Sequence, residues 1–169
     1  MTIARSNTVQ ESSLQVNLAT QPWEKQAVYK LRYEIYVQEM AKPLGAIVNK
    51  RKQISDALDD QSNLIYVQSG NEIVATMRLT IAPAKNYPAD LAEVFQMHKC
   101  QTLFGNQPQP IFGLGTKLAV KAEYRNTAAT YLIIAEGYRL LREHNVQICF
   151  TGCNPYLIPL YERLGFRKF

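Results

Sequence analysis

The sequence CNPYLIPLYERLGF, from Cys153 to Phe166, decides the fold of this 169-residue chain. It follows VQICFTGC, a largely apolar run that is typical of a buried strand. PYLIPLYERLG then has the composition of a short helix, and FRKF is predicted to be the start of another strand. The last part of the chain is therefore predicted to run strand, helix, strand.

The segment before it, KLAVKAEYRNTAATYLIIAEG (Lys117 to Gly137), joins a predicted strand to a long helix through a turn of small residues. The first turn of a helix presents free backbone N–H groups and the positive end of the helix dipole, which together favour a bound phosphate or pyrophosphate. Arg125 adds a charged donor at this turn. Taken alone, an ordinary strand-to-helix connection is the competing interpretation.

Hydrophobic periodicity predicts the remaining elements. LQVNLAT (Leu14 to Thr20) alternates like a strand, and the segment from Pro22 to Met40 repeats its apolar residues at helical spacing, with Thr20 as the predicted N-cap. SNLIYVQSG and NEIVATMRLTI are predicted to form an antiparallel hairpin across Gly70. Two irregular regions, 41–60 and 82–110, are predicted to cover or shape a binding site.

Two further segments complete the predicted order of elements. IFGLGTKLAVK is strand-like, and Gly113 and Gly115 suggest a bulge or a close approach of another group to the backbone. TAATYLIIAEGYRLLREHN is an amphipathic helix. A mixed α/β fold with a central, partly antiparallel sheet accommodates this order, in one domain over residues 1–169 with a polar leader at Met1 to Ser13. The residues of the amphipathic helix predicted to face the sheet are Leu132, Ile133, Ala135, Leu140 and Leu141.

The two segments first described resemble the GNAT superfamily of acyltransferases. Asn154, Leu160, Tyr161, Gly165 and Phe166 fit the superfamily pattern Asn-x-x-x-x-x-Leu-Tyr-x-x-x-Gly-Phe without a gap. The turn after Arg125 fits the pattern Arg/Gln-x-x-Gly-x-Gly/Ala less well, because Ala128 and Thr130 replace both glycines. Added Cβ atoms crowd a turn that a phosphate must approach closely, so the departure weakens the prediction of pyrophosphate binding.

The resemblance implies an enzyme that moves an acyl group from a thioester to an amine. Tyr161 is implied to protonate the departing thiolate, a role that suits a phenol with an ordinary pKa near ~10; simple packing of this tyrosine is the alternative. Asn154 is implied to bind the pantetheine arm, or else to cap the next helix. Backbone N–H groups of the preceding strand are implied to stabilise the oxyanion. The implied cofactor-binding residues are Leu118, Ala119, Val120, Arg125, Asn126, Thr127, Ala128, Ala129, Thr130 and Asn154.

A general base is harder to assign, because many relatives have a glutamate on the strand that here contains Gly113 to Lys117. No carboxylate occupies that position, so either a water chain deprotonates the acceptor or a base comes from elsewhere. Glu72, Asp59 and Asp60 are weak candidates, because each is better explained as an ordinary surface acid.

A second resemblance concerns VYKLRYEIYVQEM (Val28 to Met40), which is similar to the start of N-acyl amino acid synthases and acyl-homoserine-lactone synthases. Asp59 and Asp60, Arg78, and TKLAV in place of Ser-Arg-Leu-Ala-Val agree with it. This branch implies acyl carrier protein or acyl-CoA as donor and an amino acid or similar small amine as acceptor. The alternatives are an acetyl-CoA-dependent N-acetyltransferase and a domain that binds an acyl ligand or a partner without catalysis.

Composition narrows the partners. The net charge of +5 favours anionic partners, and Lys121, Arg125, Arg139 and Arg142 are candidates for steering acidic carrier protein. The basic residues are scattered and not interleaved with aromatic residues, which argues against nucleic-acid binding. No segment is apolar enough to span a membrane or to act as a signal peptide, so a cytoplasmic protein is expected.

The three cysteines form no CxxC pair and the two histidines belong to no ligand-spaced cluster, so no metal is expected. The chain ends at Phe169, where GNAT relatives continue through further strands. An edge strand left exposed in this way favours association, and a homodimer is therefore predicted.

Overall fold

The computed structural model describes residues 14–44, 48–105 and 109–168, so the predicted leader lies outside the described residues. Five strands form one sheet in the order β1-β2-β3-β4-β5, with antiparallel pairing throughout except for the parallel pair β4–β5. The predicted mixed α/β fold is confirmed. The strands are β1 Leu14–Leu18, β2 Ser62–Ser69, β3 Glu72–Pro83, β4 Ile111–Val120 and β5 Ile148–Thr151.

Helices lie on both faces of this sheet. α1 and a π-helix that continues it pack on one face, and α4 packs on the other. Short 3₁₀ helices at Ala57–Gln61, Ala84–Asn86, Ala122–Tyr124 and Pro155–Leu157 connect the larger elements. The helices are α1 Pro22–Tyr33, the π-helix Glu34–Glu39, α2 Ala89–Val94, α3 Met97–Thr102, α4 Ala128–Glu143 and α5 Ile158–Arg163.

The start of α1 differs from the prediction. Gln21, not Thr20, is the N-cap, because the Glu24 carboxylate turns back and accepts hydrogen bonds from both backbone N–H groups, at 2.8 Å from Thr20 and 2.7 Å from Gln21. The predicted long helix also changes its hydrogen bonding at Glu34, where the wider π-helix begins. An acidic residue in the first turn satisfies the free N–H groups just as a cap side chain does.

The hairpin β2–β3 is confirmed, with Gly70 in the left-handed conformation at φ 59°. The pairing of β3 with β4 shifts register between Thr76 and Arg78, and the residue opposite this irregularity, Lys117, has φ 57°. This β-bulge was predicted within β4 from its glycines, but it lies two residues beyond Gly115. Bulges of this kind redirect the side chains that follow them.

α4 packs on the sheet through buried Ala129, Ile133, Gly137 and Leu140. The prediction that Ala135 faces the sheet is wrong, since this residue is exposed. Gly137 takes the contact instead, and a Cβ atom there would lie 2.8 Å from Met77 Cε. A glycine is invisible to hydrophobic periodicity, although it permits the closest approach of a helix to a sheet.

The described part of the region 82–110 packs against β4 and β5, at Phe112, Leu114 and Phe150. Tyr87 anchors it by donating hydrogen bonds to the carbonyl oxygens of Thr80 at 3.0 Å and Phe112 at 2.9 Å, and Met97 is fully buried against Phe112. The predicted strand at FRKF is not formed at 166–168, and Phe169 lies outside the described residues. Strand pairing needs a neighbouring strand, and none of the described segments provides one there.

Candidate active site

β4 and β5 are paired over only four residues each. Phe112 to Gly115 pair with Ile148 to Thr151, after which β4 continues to Val120 while β5 has ended. The two strands therefore diverge, and a cleft of about 1240 Å³ opens between them, lined by side chains from both faces of the sheet. A cleft at this point satisfies the first requirement for a thioester arm between the two strands.

The open edge of β4 offers backbone groups to the cleft. The carbonyl of Leu118 accepts a hydrogen bond from the Tyr36 hydroxyl at 2.9 Å, and that of Val120 accepts one from Arg125 Nε at 3.0 Å. Lys121 N–H instead donates to β3, at Val74 O. Because the N–H and C=O of one strand residue point to the same side, the N–H groups of Leu118 and Val120 face the cleft. Ala119 alternates toward β3, where it is in register with Thr76.

Tyr161 lies on α5 and is half-buried in the wall of the cleft. Its ring meets that of Phe166 edge-on, with centroids 5.5 Å apart, so its position is fixed by packing. Burial raises the pKa of the Tyr161 hydroxyl, a hydrogen bond with the Thr151 side chain lowers it, and the raising effect prevails. A protonated phenol is thus held beside the end of β5, where a leaving thiolate could take its proton.

Four residues at the start of α4 form the predicted phosphate-binding site. Thr127 is the N-cap and its Oγ1 accepts a hydrogen bond from Ala129 N–H at 3.2 Å. Asn126, which has φ 61°, and Thr130 both line the cleft. Ala129 is fully buried, and its N–H already donates to the Thr127 cap.

Arg125 stands at this site but its guanidinium is engaged elsewhere. Arg125 Nη2 lies 2.6 Å from Glu39 Oε1, an ion pair that links the π-helix to the start of α4. To contact a phosphate, the guanidinium would have to exchange this carboxylate for it. The predicted phosphate contact of Arg125 stays a prediction.

Asn154 also lines the cleft. Its side chain makes no cap hydrogen bond to the 3₁₀ helix that follows, and its Nδ2 instead donates to the Tyr156 hydroxyl at 3.2 Å. Of the two alternatives drawn from the sequence, capping is therefore wrong, and binding of the pantetheine arm stays a prediction.

A chain of buried charges runs from α1 to the cleft. Arg32 Nη1 lies 2.8 Å from Asp59 Oδ1, Arg78 Nη1 lies 3.4 Å from the same oxygen and 2.5 Å from Asp56 Oδ1, and Lys117 Nζ lies 3.6 Å from Asp56 Oδ2. Arg32 and Asp59 are almost fully buried, whereas Asp56 and Lys117 line the cleft. Burial raises the pKa of Asp56, but the charge and hydrogen bond of Arg78, together with Lys117, outweigh it and lower that pKa.

Sequence reasoning missed Asp56 and Lys117. The signals it used instead, the acidic pair Asp59 and Asp60 and the strand residue Glu72, do not lead to the cleft: Asp59 is buried against Arg32, Asp60 is exposed, and Glu72 pairs with Lys121. The three-residue spacing of Asp56 and Asp59 is typical of a capping box at a helix start. Asp56 accepts a hydrogen bond from Leu58 N–H, and Asp59 accepts one from Asp56 N–H. The carboxylates that do line the cleft are Glu39, Asp56 and Asp90.

Metal-ligand clusters and membrane-spanning helices are both absent from the described ranges. No group of three or more His, Cys, Asp or Glu side chains is arranged there to hold a metal ion. Among those same residues, no helix combines the length and apolarity needed to cross a membrane.

The sequence also matches a known family. Residues 27–169 match the family of the N-acyl amino acid synthase FeeM, which accounts for most of the chain. The chain belongs to the N-acyl amino acid synthase FeeM family. A comparison with curated protein sequences gives no significant match.

Solved structures similar to this FeeM-family protein share its fold at low sequence identity. A GCN5-related N-acetyltransferase from Ralstonia eutropha JMP134 gives a TM-score of 0.66 at 14% identity, covering 93% of this chain and 94% of that one. The CoA-dependent acyl-homoserine lactone synthase BjaI gives 0.64 at 18% identity, covering 84% of this chain and 64% of that one. Glucosamine-6-phosphate N-acetyltransferase from Arabidopsis thaliana gives 0.59 at 11% identity, with 93% of each chain covered.

These similarities, with the cleft, make the FeeM-family protein a GNAT-type N-acyltransferase. The resemblance to the GNAT superfamily and to its synthase branch is confirmed.

Proposed function

We propose that this enzyme transfers a long acyl chain from a pantetheine thioester, on acyl carrier protein or CoA, to the amine of an amino acid in the cytoplasm. The observation that carries the proposal is the divergence of β4 from β5 after Gly115, which leaves a cleft with a tyrosine hydroxyl in its wall and strand N–H groups along its edge. The FeeM family and the BjaI synthase support acyl donors of this class.

The proposed reaction uses groups along this cleft. The deprotonated acceptor amine attacks the thioester carbonyl, and the N–H of Leu118 or Val120 stabilises the oxyanion that forms. When the tetrahedral intermediate collapses, the C–S bond breaks and the Tyr161 hydroxyl supplies the proton to the thiolate. Despite burial, Arg78 and Lys117 lower the pKa of Asp56, which makes this carboxylate a weak base. Glu39 is paired with Arg125, so water is the proposed acceptor of the amine proton.

The apolar half of the cleft supports a long acyl chain over an acetyl group. Small and apolar residues form part of its wall on the α4 side, and Gly115 leaves open space there, because a Cβ atom at Gly115 would make only ordinary contacts, at 3.8 Å from Phe150 O and 3.9 Å from Thr151 Oγ1. Burial of each methylene there would contribute about 0.8 kcal/mol to donor binding. This side-chain set is Met77, Gly115, Leu118, Gly137, Leu141 and Cys149.

The charges near the cleft bear on the choice between carrier protein and CoA. Of the predicted steering residues, Lys121 pairs with Glu72, Arg125 with Glu39, and Arg139 with Glu136 and Glu143. Paired charges attract an acidic partner weakly, so these three residues support carrier-protein docking less than their number suggests. Direct comparison of donors is therefore the appropriate experiment.

The experiment offers the enzyme acetyl-CoA, dodecanoyl-CoA and dodecanoyl acyl carrier protein, each with the twenty common amino acids. Released thiol is measured and N-acyl products are identified by mass spectrometry. The proposal expects N-dodecanoyl amino acids with at least one long-chain donor. Transfer from acetyl-CoA alone would replace it with an acetyltransferase, and absence of every product would support a non-catalytic domain.

Tyr161→Phe tests the proton donor, with Tyr131→Phe as the matched control because Tyr131 is exposed on α4 and lies outside the cleft wall. Loss of general acid catalysis lowers kcat about 10²- to 10⁴-fold. The melting temperature should stay near that of the wild type. A Tyr161→Phe enzyme with wild-type kcat would remove this residue from the mechanism.

A further inference from the structure

The charge cluster beside the cleft is unbalanced. Three cations, Arg32, Arg78 and Lys117, face two carboxylates, Asp56 and Asp59, all linked by contacts of 3.6 Å or less. A buried positive charge without a partner is costly, so such an excess is retained where an anion binds. The excess faces the cleft, because Lys117, Arg78 and Asp56 line it, whereas Arg32 and Asp59 are buried.

Of the two cluster cations that line the cleft, Lys117 is held more loosely than Arg78. Its Nζ is 3.6 Å from Asp56 Oδ2, beyond the length of a good hydrogen bond, while Arg78 and Leu58 N–H both bind Oδ1 of the same carboxylate. Burial lowers the pKa of the Lys117 ammonium, the Asp56 charge raises it, and Arg78 and Arg32 lower it further, so the pKa remains lowered. The site therefore stabilises this ammonium less well than water does, and an anion bound beside it would favour the charged form.

Backbone geometry aims Lys117 at this position. Its φ of 57° is unusual for a residue other than glycine, and it forms the bulge opposite Met77 that turns its side chain toward Asp56. Conformations of this kind cost about 1 to 3 kcal/mol and occur mainly at functional sites.

The other cations at the cleft are already occupied. Arg125 pairs with Glu39 at 2.6 Å, and Lys42 lies over the Tyr36 ring at 4.7 Å from its centroid. Lys117 is thus the cation in the described part of the cleft wall that is best placed to receive a new anion, and Asp56 Oδ2 beside it is a free acceptor oxygen for a cationic or N–H donor.

We infer that Lys117 and Asp56 together bind the α-amino acid acceptor: Lys117 takes its carboxylate and Asp56 Oδ2 holds its amino group. An opposite pair of charges about 3.6 Å apart matches the opposite charges of an amino acid zwitterion, which bridges and replaces the loose contact between them. The inference rests on the proposed function and deepens it, because it assigns two side chains to the carboxylate and the amino group of the acceptor.

The surrounding wall specifies the acceptor's side chain. Apolar residues from the π-helix, the segment after it, the short helix after Asp56 and α2 also line the cleft, so the favoured acceptors are amino acids with apolar side chains. These residues are Ile35, Met40, Leu44, Leu58 and Leu91.

The test compares L-leucine and L-phenylalanine with isoamylamine and phenethylamine, the same molecules without the carboxylate, at saturating dodecanoyl donor. In Lys117→Met, the preference for the amino acid over its amine, as a ratio of kcat/KM values, should fall about 10- to 100-fold, because an ionic hydrogen bond is lost. Lys117→Arg keeps the charge and should retain part of the preference. Lys30→Met, which removes an exposed lysine paired with Glu34 outside the cleft, should leave it unchanged.

Three further readouts separate this role from others. A structural role would lower the melting temperature of Lys117→Met, whereas removal of the excess charge should leave it unchanged or raise it. A contact with the donor phosphate would raise the KM for donor instead. Acceptor binding in the absence of donor is measured as the rise in melting temperature that L-leucine or L-phenylalanine produces.

The outcomes distinguish the inference from the proposed function. If the wild type transfers acyl groups to both acceptor classes equally, or if Lys117→Met loses both equally, the inference is wrong while N-acyl transfer stands. If the wild type acylates nothing, the proposed function fails. The amino acid binding site is then supported only if the amino acid raises the melting temperature of the wild type and not that of Lys117→Met.

Discussion

Substitution by alanine should lower stability at one of two glycines on β4, Gly113, and activity at the other, Gly115. A Cβ atom at Gly113 would lie 2.4 Å from Leu141 Cδ2, 3.3 Å from Cys149 Sγ and 3.4 Å from Val146 Cγ1. At Gly115 the nearest atoms would be Phe150 O at 3.8 Å and Thr151 Oγ1 at 3.9 Å, which are ordinary contacts. Neither glycine has a positive φ, so alanine changes packing and not backbone strain.

The magnitudes follow from these distances. Gly113→Ala overpacks the contact between α4 and β4, and overpacking costs typically 1 to 3 kcal/mol. For a chain of this length, each kcal/mol lowers the melting temperature by roughly 2 to 4 °C, so a fall of about 2 to 12 °C is expected. Gly115→Ala should shift the melting temperature by less than about 2 °C. Its methyl group instead enters the cleft where the strands diverge and should lower kcat/KM for a long-chain donor.

Differential scanning calorimetry and steady-state kinetics on both variants measure the two effects. Leu141→Ala combined with Gly113→Ala should cost less stability than the sum of the single changes, because the clashing methyl group has been removed. Equal melting temperatures for Gly113→Ala and the wild type would refute the packing argument. A destabilised Gly115→Ala with normal activity would show that the cleft is not open at that residue.

Three other changes test the charges and the helix start. Asp59→Asn leaves buried Arg32 without its carboxylate and should destabilise the protein by about 3 to 5 kcal/mol in urea unfolding. Because the pKa of Asp56 is lowered in the folded state, its ionised form stabilises the protein at pH values above the pKa of Asp56 in the unfolded chain. This contribution is lost as the pH falls through the pKa of Asp56 in the folded state. The difference in unfolding free energy between the wild type and Asp56→Asn should therefore shrink on going from pH 7 toward acid. Thr127→Ala removes the N-cap of α4 and should cost about 1 kcal/mol, seen as a melting temperature roughly 2 to 4 °C lower.

Local patterns along the chain were sufficient for most of the elements. Alternation of apolar residues predicted β1, the turn around Gly70 predicted the hairpin of β2 and β3, and helical spacing predicted α4, because these signals depend only on local sequence. The predictions failed where a local pattern depends on a distant group. The strand expected at FRKF needs a partner strand, and the N-cap expected at Thr20 was displaced by the Glu24 side chain.

The family also lay within reach of the sequence, since Asn154, Tyr161 and the Gly165–Phe166 pair have fixed spacing on one short segment. The contacts around this segment could not be predicted from the sequence. The pairing of Arg125 with Glu39 joins residues far apart in the chain, and it could not be foreseen from the turn in which Arg125 lies.

The sequence by itself determined the order of strands and helices and the membership of an acyltransferase family, because these depend on residue spacing within single elements. Tertiary structure alone decided where β4 leaves β5, which carboxylates reach the cleft, and that Lys117 meets Asp56 across the edge of the sheet. Contacts between distant residues depend on how the elements pack, and periodicity within an element carries no information about its neighbours.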